Sequence, residues 1–297
     1  SYTANWSINS YYLDLNGTLD GASVSNISGY GTADVYIDGA LKESAVADFY
    51  QQFTYGSKYE IKNIKATAGH TYNGVQSGSL TGTIGAGNVA VSLKFTSNAY
   101  TVNFNYNKPT TDGTIGNAGT TSKAVTFDST YGTLPIPTLN GYTFAGWYTA
   151  ATNGTKVSDT TKYTTAGNST LYAHWNLNTY SISYTLNGGS VSGQPTSYNV
   201  NTATFTLPTP TKTGYTFTGW TGSNGTAAQK SVSVAKNSTG NKSYTASWSL
   251  NTYTISYNLN GGNLSGQKAS YDVTTEAFTL PTPTKTGYAF TGWTGTG

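Results

Sequence analysis

The chain contains no cysteine and no methionine. Without a thiol there can be no disulfide framework, no thiolate metal site and no thiol nucleophile. Without a thioether, an easily oxidised side chain is missing as well. Both absences suit a protein exposed outside the cell. Arginine is absent too, so all 15 basic residues are Lys, and charged residues make up only 9% of the sequence, against about 25% in ordinary globular proteins. The formal net charge is +3 and the lysines are scattered singly, which argues against nucleic acid as a partner, since a binder shows a clustered basic stripe. No apolar run approaches the length of a spanning helix, so this segment is not expected to insert in a membrane, and nothing in it reads as a signal peptide. What fills the chain instead is Thr, Ser, Asn, 35 Gly and 25 Tyr.

The 6 tryptophans fall in two recurring slots. Trp147, Trp220 and Trp293 each follow a glycine and stand 73 positions apart. Trp6, Trp175 and Trp248 each close a strand-like run, and the latter two lie 28 positions after Trp147 and Trp220. A fixed period of this kind is the signature of a tandem array. Alternation supplies the strands. Tyr180, Ile182, Tyr184 and Leu186 alternate with Ser and Thr, as do Tyr253 to Leu259 and Tyr100 to Tyr106; a period of two with one apolar face is a half-buried strand. Asn187-Gly188-Gly189 and Asn260-Gly261-Gly262 follow with residues that tolerate positive φ in a tight turn. Phe205 to Pro210 should end as a strand at Leu207, because proline cannot donate to a ladder.

Residues 11–98 carry no Trp. Asp38-Gly39 marks a hairpin turn, and Leu41, Ala45, Val46, Phe49, Tyr50 and Phe53 recur at helical spacing. The expected fold is mainly β with minor α: a tandem array of small repeat domains plus one small α+β domain or β-sandwich. The expected boundaries are 1–7 as the final strand of a truncated repeat, 11–98 for the Trp-free unit, 100–176 and 180–249 for two repeats, and 253–297 for the first part of a third. Linkers such as Trp175 to Tyr180 are four residues long, short enough to make semi-rigid beads, and beads of this size imply a rod on the order of 100 Å long.

The strand-Asn-Gly-Gly opening, the Gly-Tyr-Thr-Phe-x-Gly-Trp core (Gly214 to Trp220) and the Leu-Tyr-Ala-x-Trp ending (Leu171 to Trp175) resemble the B-repeats of Listeria internalins and the wider Listeria–Bacteroides repeat of bacterial surface proteins. The resemblance covers residues 100–175 and 180–248, the first part of the motif in 253–297, and only the last strand in 1–6. It implies a small β-grasp-like domain used in secreted or wall-attached proteins, and brings no shared catalytic residue.

Candidate chemistry is thin. Trp6, Trp147, Trp175, Trp220, Trp248 and Trp293 are read as core pillars rather than sugar platforms, because burying an indole contributes roughly 4–6 kcal/mol to a domain poor in aliphatics. Asp14, Asn16, Thr18 and Asp20 alternate as in a calcium loop, but Ser25 stands where the bidentate acid belongs; a glycine-rich hairpin is the simpler reading. His70 and His174 are the histidines, with no evident companion ligands, and His174 occupies an outward slot held by Ser247 and Asn5 elsewhere. No Gly-x-Ser-x-Gly elbow appears, and no enzyme and no cofactor are expected. Leu207-Pro208-Thr209-Pro210 resembles a sortase signal without its ending. A Lys–Asn isopeptide crosslink would need a buried Lys, Asn and acid together.

The leading expectation is an extracellular structural or adhesive protein of a surface stalk or fibre. Tyr288, Phe290 and Trp293 would expose an apolar patch unless completed, and Tyr2, Ala4 and Trp6 form the missing type of strand, so copies of the chain could join head to tail. Complete repeats have 27 residues between their tryptophans, more than the two chain ends supply together, so a strand of the Ser231 to Val234 type would be lacking. The alternative is a module binding carbohydrate or a glycoprotein through tyrosine-rich surfaces.

Overall fold

The alternation becomes strand in the Trp-free unit and in the first two repeats, whereas of Tyr253 to Leu259 only Tyr253–Thr254 is strand and the strand expected over residues 1–7 does not form. The computed structural model describes residues 1–295 and holds 23 strands and no helix among the described residues. The chain divides into two compact units, Ser1–Leu139 with Thr143–Asn176, and Asn140–Tyr142 with the residues from Leu177 on.

The first unit opens with β1 (Ser10–Leu19), β2 (Ala22–Val24), β3 (Gly31–Ile37), β4 (Ala40–Val46), β5 (Phe49–Thr54), β6 (Lys58–Ala66), β7 (His70–Ser77), β8 (Thr81–Thr83) and β9 (Val89–Ser97). One sheet has the order β2-β1-β9-β7, with β5 also on β1; the other has the order β4-β3-β6-β8. Leu13, Leu15, Val91, Leu93 and Phe95 from the first face Ala33, Val35, Tyr59 and Ile61 from the second in one buried cluster. This is the sandwich alternative of the sequence reading, without its helix. Asp20-Gly21 and Asp38-Gly39 take positive φ, as two-residue hairpin turns require.

The helix expected over Leu41 to Phe53 is overturned. Those residues form β4 and β5, separated at Ala47-Asp48. Spacings of four and eight fit a helix, but they fit a period of two as well. Phe49, Gln51 and Phe53 share one face of β5, and Phe49 is buried. Ala45 has φ +51° beside irregular β3–β4 pairing, a bulge that shifts the register and disguises the alternation.

Two modules built alike follow. The first comprises β10 (Ala99–Asn105), β11 (Ser122–Thr126), β12 (Tyr142–Tyr148), β13 (Lys156–Val157) and β14 (Ser169–Leu177), in the order β11-β10-β14-β12-β13. The second comprises β15 (Tyr180–Thr185), β16 (Ser197–Tyr198), β17 (Phe205–Thr206), β18 (Tyr215–Gly222), β19 (Gly225–Gln229), β20 (Ser233–Val234) and β21 (Lys242–Leu250). Its main sheet runs β16-β15-β21-β18-β19, while β17 and β20 pair separately. β17 stops just before Leu207 and the proline that follows. Beyond lie only β22 (Tyr253–Thr254) and β23 (Ser270–Tyr271), paired with each other.

First and last strands run parallel and adjacent in all three larger modules. β1 pairs with β9 from Leu13↔Val89 to Leu19↔Phe95. β10 pairs with β14 from Val102↔Ser169 to Asn105↔Tyr172. β15 pairs with β21 from Ile182↔Lys242 to Thr185↔Thr245.

Candidate functional site

The first two repeats are each organised around two indoles bridged by one phenyl ring. Alternation alone would put Phe144 and Trp147, three residues apart, on opposite faces of β12; a break at Gly146, whose φ is +131°, brings both rings to one side, as the register shift between Phe217 and Gly219 does in β18, and β14 brings Trp175 beside them. Phe144 lies 5.6 Å from Trp147 and 5.5 Å from Trp175, both edge to face. Phe217 repeats this at 5.4 Å from Trp220 and 5.5 Å from Trp248. Edge-to-face pairs place the positive ring edge on the negative face. Trp147 and Trp220 are 1% and 0% exposed, and Trp175 and Trp248 are half-buried.

The indole N–H groups donate to main-chain carbonyls. Trp147 Nε1 donates to Pro135 O at 2.7 Å, Trp175 Nε1 to Tyr106 O at 2.9 Å and Trp248 Nε1 to Leu186 O at 2.9 Å. Trp220 Nε1 is buried with no partner among the described residues. Asn187, at φ +50° in the Asn-Gly-Gly turn, donates from Nδ2 to Ala246 O at 2.9 Å and ties the turn to β21. Trp248 then lies across Gly189, where a Cβ would run into Cζ2 of the ring and sit 2.9 Å from Thr211 O. Burial pushes the Tyr184 and Tyr244 phenols above their ordinary range, and at Tyr184 the Tyr244 phenolate adds to the shift.

In the third copy Trp293 keeps its bond to Pro281 O at 3.2 Å and its contact with Phe290 at 5.4 Å. No second indole reaches Phe290 or Gly262 among the described residues. Phe290 is 41% and Tyr288 is 72% exposed. The expectation that Trp6 is core does not hold: its ring is 92% exposed, and residues 1–9 belong to no strand. Trp175 and Trp248 are sheltered by a bridging Phe and by the loop whose carbonyl, Tyr106 O or Leu186 O, takes the indole N–H, and Trp6 lacks that shelter among the described residues.

The remaining candidates serve structure. Asp14, Asn16 and Thr18 lie along β1, and an extended strand cannot wrap its oxygens around one ion. Asn16 Nδ2 donates to Asp14, and Asp20 accepts from Ser97 N and Oγ at 2.9 and 2.8 Å. His174 is half-buried rather than exposed: it stacks on Tyr148 at 3.9 Å, and its Nε2 lies 2.9 Å from Ala150 O. His70 is buried between Tyr30 and Phe127, its Nδ1 3.0 Å from Thr67 Oγ1. The buried polar residues are Thr18, His70 and Ser92, with no lysine among them, so the crosslink triad does not assemble among the described residues. None of them holds a cluster of three metal-ligating His, Cys, Asp or Glu side chains, and no helix is long and apolar enough to cross a membrane.

Sequence reasoning missed a set of glycine turns. Gly69, Gly141 and Gly214 have φ of +88°, +77° and +73°, and each is covered by an apolar side chain from the strand pair that follows: Phe127, Val200 and Val273. The signal was present, since Gly69-His70-Thr71-Tyr72-Asn73-Gly74 parallels Gly214 to Gly219; the missing tryptophan hid it.

Paired indoles, a bridging phenylalanine and parallel first and last strands define a tandem array of small β modules. The chain belongs to the Listeria-Bacteroides repeat domain family, whose model matches residues 100–174, 180–247 and 253–296, more than half of its length. It is 42% identical to Internalin H of Listeria monocytogenes over 85 residues, 28% of this chain and 15% of that protein. A protein of Evansella cellulosilytica provisionally named a membrane protein is 32% identical over 202 residues, 67% of this chain and 28% of that one. The chain thus spans under a third of these relatives. Among solved structures, the Bacillus anthracis TIE protein aligns over 89% of this chain and 48% of its own, at 12% identity and a TM-score of 0.29, too distant to bear on the fold.

Proposed function

We propose that the chain is a segment of an extracellular stalk or fibre on a bacterial surface, built from β-grasp-like modules and acting without catalysis. The observation that carries this reading is the parallel pairing of first and last strands in every larger module. A module with that pairing takes the chain in at one end and releases it at the other. Tension along the chain then shears the ladder, so its hydrogen bonds are loaded together instead of peeling one after another. The relatives named for internalin and membrane proteins support a surface location.

A head-to-tail fibre is the finer form of this reading, and the match of Tyr2 to Trp6 with Tyr244 to Trp248 supports it. In the second module β21 lies at the centre of the main sheet, β19 forms one edge, and the Ser233–Val234 strand pairs outside it. A strand of the β21 type would therefore join the two halves of the sheet, while the β19 edge and the core share of Val232 and Val234 would be lacking. Tyr2, Ala4 and Trp6 of a neighbouring copy match Tyr244, Ala246 and Trp248, and would set an indole against Phe290 beside Tyr288 and Trp293.

Single-molecule pulling tests the stalk. Modules drawn out through their own termini should resist more strongly than the same modules gripped at β11 and β13, each event releasing roughly 250 Å of chain for 73 residues. Equal resistance in the two directions would overturn it. Glycan binding abolished by Tyr50→Ala, at a residue stacked on Tyr12 and 58% exposed, would favour the adhesive module instead.

A further inference from the structure

The first two repeats share their inner faces and differ on their outer ones. Phe144, Trp147, Ala173 and Trp175 recur 73 positions on as Phe217, Trp220, Ala246 and Trp248. The outward slots of the same strands hold Tyr148, Tyr172 and His174 in the first repeat but Thr221, Thr245 and Ser247 in the second. The second repeat folds without these rings, so the fold does not require them.

The main chain differs at the same place. In the second repeat β18 runs on to Gly222, and Ser223 then closes the edge of β21. Its N–H donates to Ser243 O and its Oγ accepts from Ser243 N, both at 2.9 Å. The equivalent residues 73 positions earlier are Ala150 and Thr170, and no bond joins them among the described residues. β12 stops at Tyr148. The Ala150 carbonyl lies 2.9 Å from Nε2 of His174, whose ring stacks on Tyr148, and the Ala151 carbonyl accepts from Asn107 Nδ2 at 2.8 Å. The turn is thereby drawn off the edge of β14. Thr170 pairs with Asn103 as Ser243 pairs with Ser183. Its N–H and C=O therefore point to the side on which Ser243 meets Ser223, and there they find no partner among the described residues.

A cavity of about 430 Å³ opens at this edge, lined by Thr170 together with Asn103, Tyr131, Thr165, Asn168 and Tyr172. That volume falls within the range of small-molecule sites, about 300–1,000 Å³. No lining residue is charged, so an ionic ligand would lose water without gaining a counter-charge. Asn168 accepts from Thr101 N at 2.8 Å through Oδ1 and keeps its Nδ2 donors. The side chains of Asn103, Thr165, Thr170 and Tyr172 make no hydrogen bond among the described residues. Uncommitted amides and hydroxyls both donate and accept, and the sheet fixes one more donor and acceptor at Thr170. A sugar is the complement of such a surface: many hydroxyls, no charge, and an apolar C–H face that suits the negative face of a ring.

We propose that this cavity binds a neutral sugar unit of a glycan, with Tyr172 against its C–H face and Asn103, Asn168 and the Thr170 main chain on its hydroxyls. The inference goes beyond the stalk reading, since a stalk can present such a site or lack it.

The test is titration of the whole ¹⁵N-labelled chain with four neutral oligosaccharides, maltotriose, mannotriose, lactose and chitotriose, and with glucuronic acid as the charged comparison. Saturable shifts of the Asn103, Thr170 and Tyr172 amides with at least one neutral sugar are expected, with Ser183, Ser243 and Thr245 unmoved. Tyr172→Thr and Asn103→Ser install residues with which the second repeat already folds, and each should weaken binding about tenfold, the loss of one good contact. Lining amides that stay still with all four sugars would overturn the site. Equal shifts in both repeats, or affinity unchanged in both variants, would overturn it as well. Tighter binding of glucuronic acid than of any neutral sugar would refute the neutral assignment.

Discussion

Gly189→Ala should destabilise the second repeat, while Gly262→Ala, the same change in the same turn one repeat later, should be nearly neutral. Neither glycine has a positive φ, so backbone strain does not enter. At Gly189 the new methyl runs into Trp248 and lies 2.9 Å from Thr211 O. The ring cannot retreat freely, because its N–H is bonded to Leu186 O and Phe217 lies against it at 5.5 Å. Overpacking of this kind costs about 1–3 kcal/mol. The reduced freedom of the unfolded chain returns about 0.4–1 kcal/mol, leaving a net loss near 1–2 kcal/mol. At Gly262 the nearest atoms are carbonyl oxygens at 3.0 and 3.2 Å with no ring over the turn, so a small crowding term and the unfolded-state gain roughly cancel. Amide hydrogen exchange along β21, with urea unfolding followed by tryptophan fluorescence, reads the difference. Equal shifts for the two variants would refute the claim that the second indole braces the turn. The pair has a further use: if Trp6 of a neighbour fills the third copy, Gly262→Ala should impede assembly while leaving the separate chain stable.

Trp147→Phe forfeits the bond to Pro135 O and should cost about 1 kcal/mol more than Trp220→Phe, whose N–H has no partner to lose; equal losses in calorimetry would contradict that assignment. Burial raises the phenols of Tyr131, Tyr184 and Tyr244. Above pH about 10 the unfolded chain therefore releases protons that the folded chain retains, and stability falls as pH rises further. Tyrosinate absorbance should show a late-titrating class that merges with the rest on unfolding. Asp34 is held below the usual carboxylate range, first by the Asn63 side chain and then by the Ala45 N–H. Its contribution is complete above the ordinary aspartate value and fades as pH falls through the lower folded one, so acid should release the Ala45 amide early in exchange experiments; an acid-insensitive amide would remove that role.

The array was legible because tryptophan is rare and its slots are rigidly spaced, and the strands because their buried faces alternate strictly. The expected helix failed at Leu41 to Phe53, where a bulge at Ala45 broke the alternation and left spacings that two structures share. Bulges depend on pairing with β3, which no local window contains. The second indoles were placed in slots correctly, but their shelter could not be judged from sequence: Trp248 and Trp6 sit in matching motifs, yet only Trp248 finds a phenylalanine and a turn opposite. His174 escaped because an outward slot is not an exposed one when Tyr148 stacks on it. The covered glycine turns escaped for a different reason. Each glycine and the side chain over it, such as Gly69 and Phe127, belong to different strand pairs, and only the fold brings them together.

The position of the last strand carries a consequence for synthesis. In the first two repeats the strand made last lies at the centre of the sheet, between the strand made first and β12 or β18. Until that segment emerges, the two halves of the sheet have nothing to join them. If the chain is exported as proposed, a module of this design would stay open while it is threaded through a channel and would close only when its final residues clear the exit. Maturation would then proceed one unit at a time in the order of translation, with no need for the parts still inside.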